Sequence, residues 1–178
     1  MVRDRCIVRT ATAQDAADLA SIRINSWRAA YRGLVDQQFL DDLDFETNRQ
    51  KFRDALKMPN DSDRADLICM YEGRGIAWGS WAACQDDDVD RCDVAEIRTL
   101  YVEPLFFGQG IGRLLMSELI SEIRLKKTYS SVILWVLEGN ERAIRFYRRY
   151  GFMADAVKKA FPLSTDVQRY ENRYRLSI

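Results

Sequence analysis

The stretch from Ile97 to Leu115 constrains the fold more than any other part of the chain. It opens as an apolar, β-branched run, Ile97-Arg98-Thr99-Leu100-Tyr101-Val102, which reads as a strand. Pro104 ends it, because proline cannot donate to a ladder. Glycines follow at 108, 110 and 112, and helical periodicity starts at Ile111. Glycine tolerates positive φ and lets a ligand approach the backbone with no Cβ in the way. The turn therefore aims free N–H groups and the positive end of a helix dipole at one spot, which suits a phosphate or pyrophosphate. It carries neither the Lys-Ser/Thr of a P-loop nor Gly-x-Gly-x-x-Gly, so it matches neither common nucleotide fingerprint.

The flanking sequence supplies the rest of a mixed α/β chain. Ile7 to Ala11 reads as a first strand. Thr12, with Asp15 three residues on, reads as an N-cap for a helix carrying Ala16, Ala20, Ile24, Trp27 and Tyr31 and ending near Gly33. Asp36 caps a short helix with Phe39, Leu40 and Leu43. Another helix spans about Glu46 to Lys57, with Phe52, Ala55 and Leu56 inward, and Met58 to Asp63 reads as a loop. Leu67–Tyr71 and Ile76–Cys84 around Glu72-Gly73-Arg74-Gly75 predict an antiparallel hairpin. Gln85 to Asp93 is an acidic loop, read as solvated. The helix after the glycine turn runs to about Lys127, with Ile111, Leu115, Leu119 and Ile123 on one face. The continuous apolar run Val132 to Leu137 predicts a strand covered on both faces. A helix from about Glu141 to Tyr150, closed by Gly151, leads to strands at Phe152–Val157 and Tyr170–Leu176, joined by a loop holding Pro162. The element order, β-α-α-β-β-β-α-β-α-β-β with a further short helix at Asp36, predicts a single, mostly antiparallel mixed sheet flanked by helices. Residues 1–178 are expected to form one domain.

Charge narrows the partners. Lys plus Arg is 27 and Asp plus Glu is 27, a balance that argues against nucleic acid as a partner. No apolar run approaches the roughly 20 residues that cross a bilayer, so no membrane partner is expected. Met1-Val2-Arg3-Asp4-Arg5 runs into a strand rather than a signal-peptide block, which predicts a cytoplasmic location. The four cysteines form no Cys-x-x-Cys pair and the chain has no histidine, so no metal site is expected. Cys69 and Cys84 read as buried small hydrophobes. Without histidine, any acid or base is Glu, Asp, Tyr, Cys, Lys or water.

Two blocks together resemble the GNAT superfamily of acetyl-CoA-dependent N-acetyltransferases. Phe107-Gly108-Gln109-Gly110-Ile111-Gly112 resembles the family's Gln/Arg-x-x-Gly-x-Gly/Ala, departing at its first position. Asn140-Glu141-Arg142-Ala143-Ile144-Arg145-Phe146-Tyr147-Arg148-Arg149-Tyr150-Gly151-Phe152 resembles Asn-x-x-Ala-x-x-Phe-Tyr-x-x-x-Gly-Phe. Ser26 to Gly33 is similar to the first helix of many bacterial members. The resemblance implies that backbone N–H groups from Phe107 to Arg113, across Gly108, Gln109, Gly110, Ile111 and Gly112, bind the CoA pyrophosphate. It implies that the fourth and fifth strands splay, with the pantetheine arm along Leu100, Tyr101 and Val102 and with Asn140 on the cofactor. Phe107 puts affinity in question, and Arg113 or one of Arg142, Arg145, Arg148 and Arg149 is expected to supply the missing charge.

Acetyl transfer needs a neutral amine, a stabilised oxyanion and a protonated leaving thiolate. Tyr147, placed by the second block, is the candidate acid. Glu96 is the candidate base, grouped by strand alternation with Arg98, Leu100 and Val102; a water chain is the other. A backbone N–H near Leu100 to Val102 is the family's usual oxyanion donor. Trp27, Tyr31 and Trp81 are candidates to line the acceptor pocket. The expected function is acetyl transfer from acetyl-CoA to a primary amine of a small molecule or protein terminus, by direct attack in a ternary complex. Two alternatives stand beside it: a non-catalytic acyl-CoA-binding regulator and a transferase for a longer acyl-CoA. A homodimer is possible on family grounds.

Overall fold

A computed structural model describes residues 2–58, 63–161 and 168–178. Its strands are β1 (Ile7–Thr10), β2 (Arg64–Tyr71), β3 (Arg74–Ala83), β4 (Val94–Val102), β5 (Ser131–Leu137), β6 (Met153–Ala160) and β7 (Tyr170–Ser177). They form a 7-stranded sheet in the order β1-β2-β3-β4-β5-β7-β6. Every neighbouring pair is antiparallel except β4 and β5. The helices are α1 (Ala16–Ala30), α2 (Gln37–Asp41), α3 (Phe45–Ala55), α4 (Ile111–Leu125) and α5 (Glu141–Tyr150). The α1 helix packs Leu19 and Ile22 on one face of the sheet, against Ile68 and Trp78. On the other face α4 packs Ile111, Leu115, Leu119 and Ile123, all buried as their spacing predicts, with Ile144 of α5 in the same core.

Local chemistry explains the element ends. Thr12 N donates to Asp15 Oδ2 at 2.8 Å, and Arg9 grips both Asp15 oxygens at 2.8 and 2.7 Å. The Arg9 hydrogen bonds hold that carboxyl down to about 2. Because the folded value lies below the unfolded one, the contact stabilises the fold above about pH 4 and is lost as pH falls toward 2. Asp36 accepts from Gln38 N at 2.8 Å to start α2, and Asn140 accepts from Ala143 N at 3.2 Å to start α5. Glu72 and Gly73, both at positive φ, turn β2 into β3 in two residues. At Gly79 on β3, a Cβ would meet Leu119 Cδ1 at 2.7 Å, so its absence lets α4 close on the sheet.

Two irregularities shape the centre. Ser80 pairs with Thr99 and Trp81 with Ile97, which leaves Arg98 as an extra residue in β4. This bulge reverses the alternation. Glu96 therefore shares its face with Thr99 and Tyr101, not with Leu100 and Val102 as the unbroken pattern predicts. Next to the bulge, β4 and β5 pair only at Val94↔Ser131, Ala95↔Val132 and Glu96↔Ile133. Beyond Glu96 they separate, as the family resemblance implies.

Other expectations need correction. Ala55 is exposed, because α3 lies on α1 along its Phe52 side. Trp81 is buried at 1% exposure on the α4 face, its ring edge-on to Tyr129, so it lines no acceptor pocket. The acidic loop is not simply solvated. Arg173, 3% exposed, reaches into it and binds Asp86 at 3.0 Å, Asp88 at 2.7 and 2.6 Å and Asp155 of β6 at 2.7 Å. The loop expected at Met58 to Asp63 lies outside the described residues at 59–62, and that at Pro162 at 162–167. Among the described residues no helix is long and apolar enough to cross a membrane. Removing this buried cation strips Asp86 and Asp88 of their partner and leaves Asp155 only Arg175 at 3.4 Å, so Arg173→Ala is expected to cost about 3 kcal/mol of unfolding free energy in urea titration.

Candidate active site

The gap between β4 and β5 opens into a cavity of about 720 Å3 that reaches from the glycine turn to α1. Its floor is the last shared rung, Glu96 beside Ile133. One wall is the β4 edge at Leu100, Tyr101 and Val102, which no strand covers beyond Glu96. Ser26 Oγ donates to the Val102 carbonyl at 2.9 Å and ties α1 to that wall. The cavity lies below the usual upper size of small-ligand pockets.

At one end, a short 3-10 turn at Pro104–Phe106 leads into the glycine turn. Gly108 and Gly110 hold φ of 76° and 81°, and Gly110 is the left-handed N-cap of α4 with no side-chain cap bond. Among the described residues, no acceptor engages the backbone N–H groups from Gly108 through Arg113. A helix start so exposed needs an external acceptor, and an anion satisfies the N–H groups and the dipole together. Phe107, Gly108, Gly110, Ile111, Gly112 and Arg113 line the cavity there. The Gln109 side chain does not; its Nε2 donates back to the Leu105 carbonyl at 2.9 Å. Asn140 and Tyr147 border the same space from α5. These residues fit an extended thioester carrier with a pyrophosphate: an uncapped N–H cradle at one end and an open strand edge beside it.

Titratable groups collect at the other end. Glu96 is half-buried, with Arg98 Nε 3.7 Å from its carboxylate. Burial raises its pKa, outweighing the pull of Arg98. Burial also raises the Tyr147 phenol, so it keeps its proton throughout the working range, and among the described residues no hydrogen bond engages its hydroxyl. Trp27 and Tyr31 line the α1 side, edge-to-face at 4.9 Å. Both pack on Leu137 and Phe161, so they serve core and cavity wall at once. Burial pushes the Tyr31 phenol up as well.

Sequence reasoning missed three residues here. Glu171 of β7 is raised by burial, and Glu96 adds to the rise. Lys159 of β6 stands 4.0 Å from Glu171 and 4.0 Å over the Trp135 ring. Trp135 Nε1 is buried without a partner among the described residues. Glu171, Arg173 and Arg175 alternate in sequence, a signal of one charged strand face. Only the β5–β7 register, Leu137↔Glu171, places Glu171 of that face on the cavity.

The fold is thus an open α/β sheet with one parted parallel pair and an anion cradle at the parting. A family profile described as Acetyltransferase (GNAT) family matches residues 25–152. An uncharacterized N-acetyltransferase of Archaeoglobus fulgidus is 32% identical over 143 residues, covering 79% of this chain and 88% of that protein. One of Methanocaldococcus jannaschii is 33% identical over 95 residues, and the match spans 53% of this chain but only 42% of that protein's length. The fold of the Thermoplasma acidophilum PaiA N-acetyltransferase, crystallised with coenzyme A, superposes with a TM-score of 0.75 at 18% identity, over 96% of this chain and 99% of that one. The chain belongs to the GNAT acetyltransferase family.

The electrostatics make a prediction independent of ligand. By carboxyl-carbon NMR, Glu96 titrates above the ordinary glutamate range, and Arg98→Ala moves it further up, since removing a nearby cation disfavours the charged form.

Proposed function

We propose that the protein is an N-acetyltransferase that moves the acetyl group of acetyl-CoA to a primary amine, on a small molecule or a protein terminus. The observation that carries this reading is the parted β4–β5 pair ending at the unengaged N–H groups of Gly108 to Arg113. Family membership supports acetyl-CoA as the co-substrate. In this reading residues 1–178 act as one cytoplasmic domain.

The cradle from Phe107 to Arg113 binds the pyrophosphate, and the open edge at Leu100, Tyr101 and Val102 takes the pantetheine amides as an added strand would. Asn140 spends its Oδ1 on the α5 cap, which leaves its Nδ2 for the co-substrate. The thioester supplies an electrophilic carbonyl. Glu96 takes a proton from the incoming ammonium and passes it to solvent, and the neutral amine then attacks the thioester carbonyl in the ternary complex. A backbone N–H of the Leu100–Val102 edge stabilises the oxyanion. As the C–S bond breaks, Tyr147 donates its proton to the thiolate, and the proton shed by the adduct's nitrogen restores the phenol. A phenol ordinarily titrates at about 10 and a thiol at about 8.5, and burial raises the Tyr147 phenol further; a thiolate expelled into the same buried space is disfavoured for the same physical reason, which draws the proton to it. Trp27 and Tyr31 form the acceptor's apolar wall.

Thiol release on an amine panel tests the reaction. Glu96→Gln is expected to lower kcat roughly a hundredfold. The base works deprotonated, so wild-type kcat/KM falls as pH drops through a pKa above the ordinary carboxylate range. Tyr147→Phe is expected to lower kcat about tenfold or more with CoA affinity unchanged. Turnover unaffected by Tyr147→Phe would remove it as the acid. Tight CoA binding with no turnover on any amine would favour the regulator.

A further inference from the structure

Phe107 stands where the family pattern has a glutamine or arginine, and a phenyl ring donates nothing to a phosphate. The structure shows what it does instead. Phe107 closes the Pro104–Phe106 turn, its N–H donating to the Pro104 carbonyl at 3.2 Å, so the ring leaves a fixed backbone at the edge of the cavity. The Arg142 guanidinium carbon lies 3.2 Å from the centre of that ring. At this distance the planar cation lies flat on the aromatic face. Stacking uses the face of a guanidinium and leaves the five N–H donors of its rim available.

Those donors have no partner among the described residues. Among the described residues, no hydrogen bond or ion pair engages Arg142. Its helix neighbour Arg145 pairs with Glu141 at 4.0 Å, and Arg148 lies over the Tyr174 ring at 6.0 Å. Burial draws the Arg142 pKa down, and no acid offsets it. Arg142 stays exposed at the cavity mouth, so its unpaired rim donors are open to an anion that enters there. Arg142 lines the cavity with Phe107, Gly108 and Gly110, beside N–H groups that also lack acceptors. Two independent anion-seeking features therefore meet at one place.

We propose that Arg142, held flat on Phe107, is the side-chain ligand of the co-substrate's pyrophosphate, replacing the polar residue absent at position 107. Phe107 is a positioning residue: it acts only through Arg142. The cation has moved from the loop to the first turn of α5, one residue past the Asn140–Glu141 boundary, and the ring fixes its plane for two parallel N–H···O bonds to a phosphate.

This rests on the cavity being a CoA site, so the test separates the two. Calorimetric titration with CoA is run on the wild type and on Arg142→Ala, Arg142→Lys, Phe107→Ala and the Phe107→Ala/Arg142→Ala double variant, with melting temperatures as fold controls. Arg142→Ala is expected to weaken CoA about tenfold, the size of a charge-assisted hydrogen bond. Arg142→Lys recovers only part of that, because an ammonium does not stack or bind bidentately. Phe107→Ala loses nearly as much as Arg142→Ala, and the double variant little more. CoA lacking its 3′-phosphate shows the same tenfold ratio. A ratio that vanishes with that analogue would overturn the pyrophosphate assignment. Unchanged CoA affinity in a folded Arg142→Ala, beside a wild type that binds, would overturn the inference alone. A wild type with no affinity for CoA would overturn the cavity reading and this inference with it.

Discussion

The structure depends on how little β4 and β5 share. Their pairing stops at Glu96↔Ile133, while β3 stays on β4 and β7 stays on β5 along the rest of each strand. The two halves of the sheet are thus each complete, and only the seam between them is open. The Arg98 bulge sits immediately past the last shared rung, and the extra twist a bulge adds turns the β4 edge away from β5. A parted seam leaves backbone groups without strand partners, which is costly inside a protein and useful only where a ligand takes the missing strand's place. The cavity, the uncovered edge and the glycine cradle all follow from that parting.

The bulge also decides which chemistry faces the gap. By returning Glu96 to the face of Tyr101, it puts a half-buried carboxylate on the side where Tyr31, Trp135 and Glu171 collect. Tyr147 reaches the same space from α5 on the opposite face. The cavity therefore straddles the sheet: the glycine turn and α5 border it on one side, Trp27 and Tyr31 of α1 on the other, and the seam joins the two. Packing holds this rigid from below, through α4 closing on Gly79 and Arg173 clamping the loop before β4 to β6.

What could be read from residues alone was whatever local chemistry determines. The Thr12–Asp15 and Asp36 caps, the Glu72-Gly73 hairpin, the Gly151 stop and the α4 stripe from Ile111 to Ile123 are each written within a few positions. The cavity-lining roles of the glycine turn and of Trp27 and Tyr31 came from motif and spacing. The misreadings all have a long-range cause. Alternation through Arg98 is a correct rule broken by pairing with β3. Arg173 meets Asp86 and Asp88 only because β7 joins the sheet between β5 and β6. Trp81 lies three positions from Trp78 on β3 and so faces α4, and only the placement of α1 on the Trp78 face shows that this is the wrong side for the acceptor. Phe107 and Arg142 are far apart in sequence, and nothing local in either residue announces the stack.

Backbone amide hydrogen exchange with and without CoA tests the central claim most directly, since it reads the groups the seam leaves unpaired. The account expects CoA to slow exchange at Leu100–Val102 and at Gly108–Arg113, with little change on β1 and β2, which lie at the far edge of the sheet. Binding that leaves exchange at both segments unaltered, or protects only surfaces away from the β4–β5 gap, would contradict it.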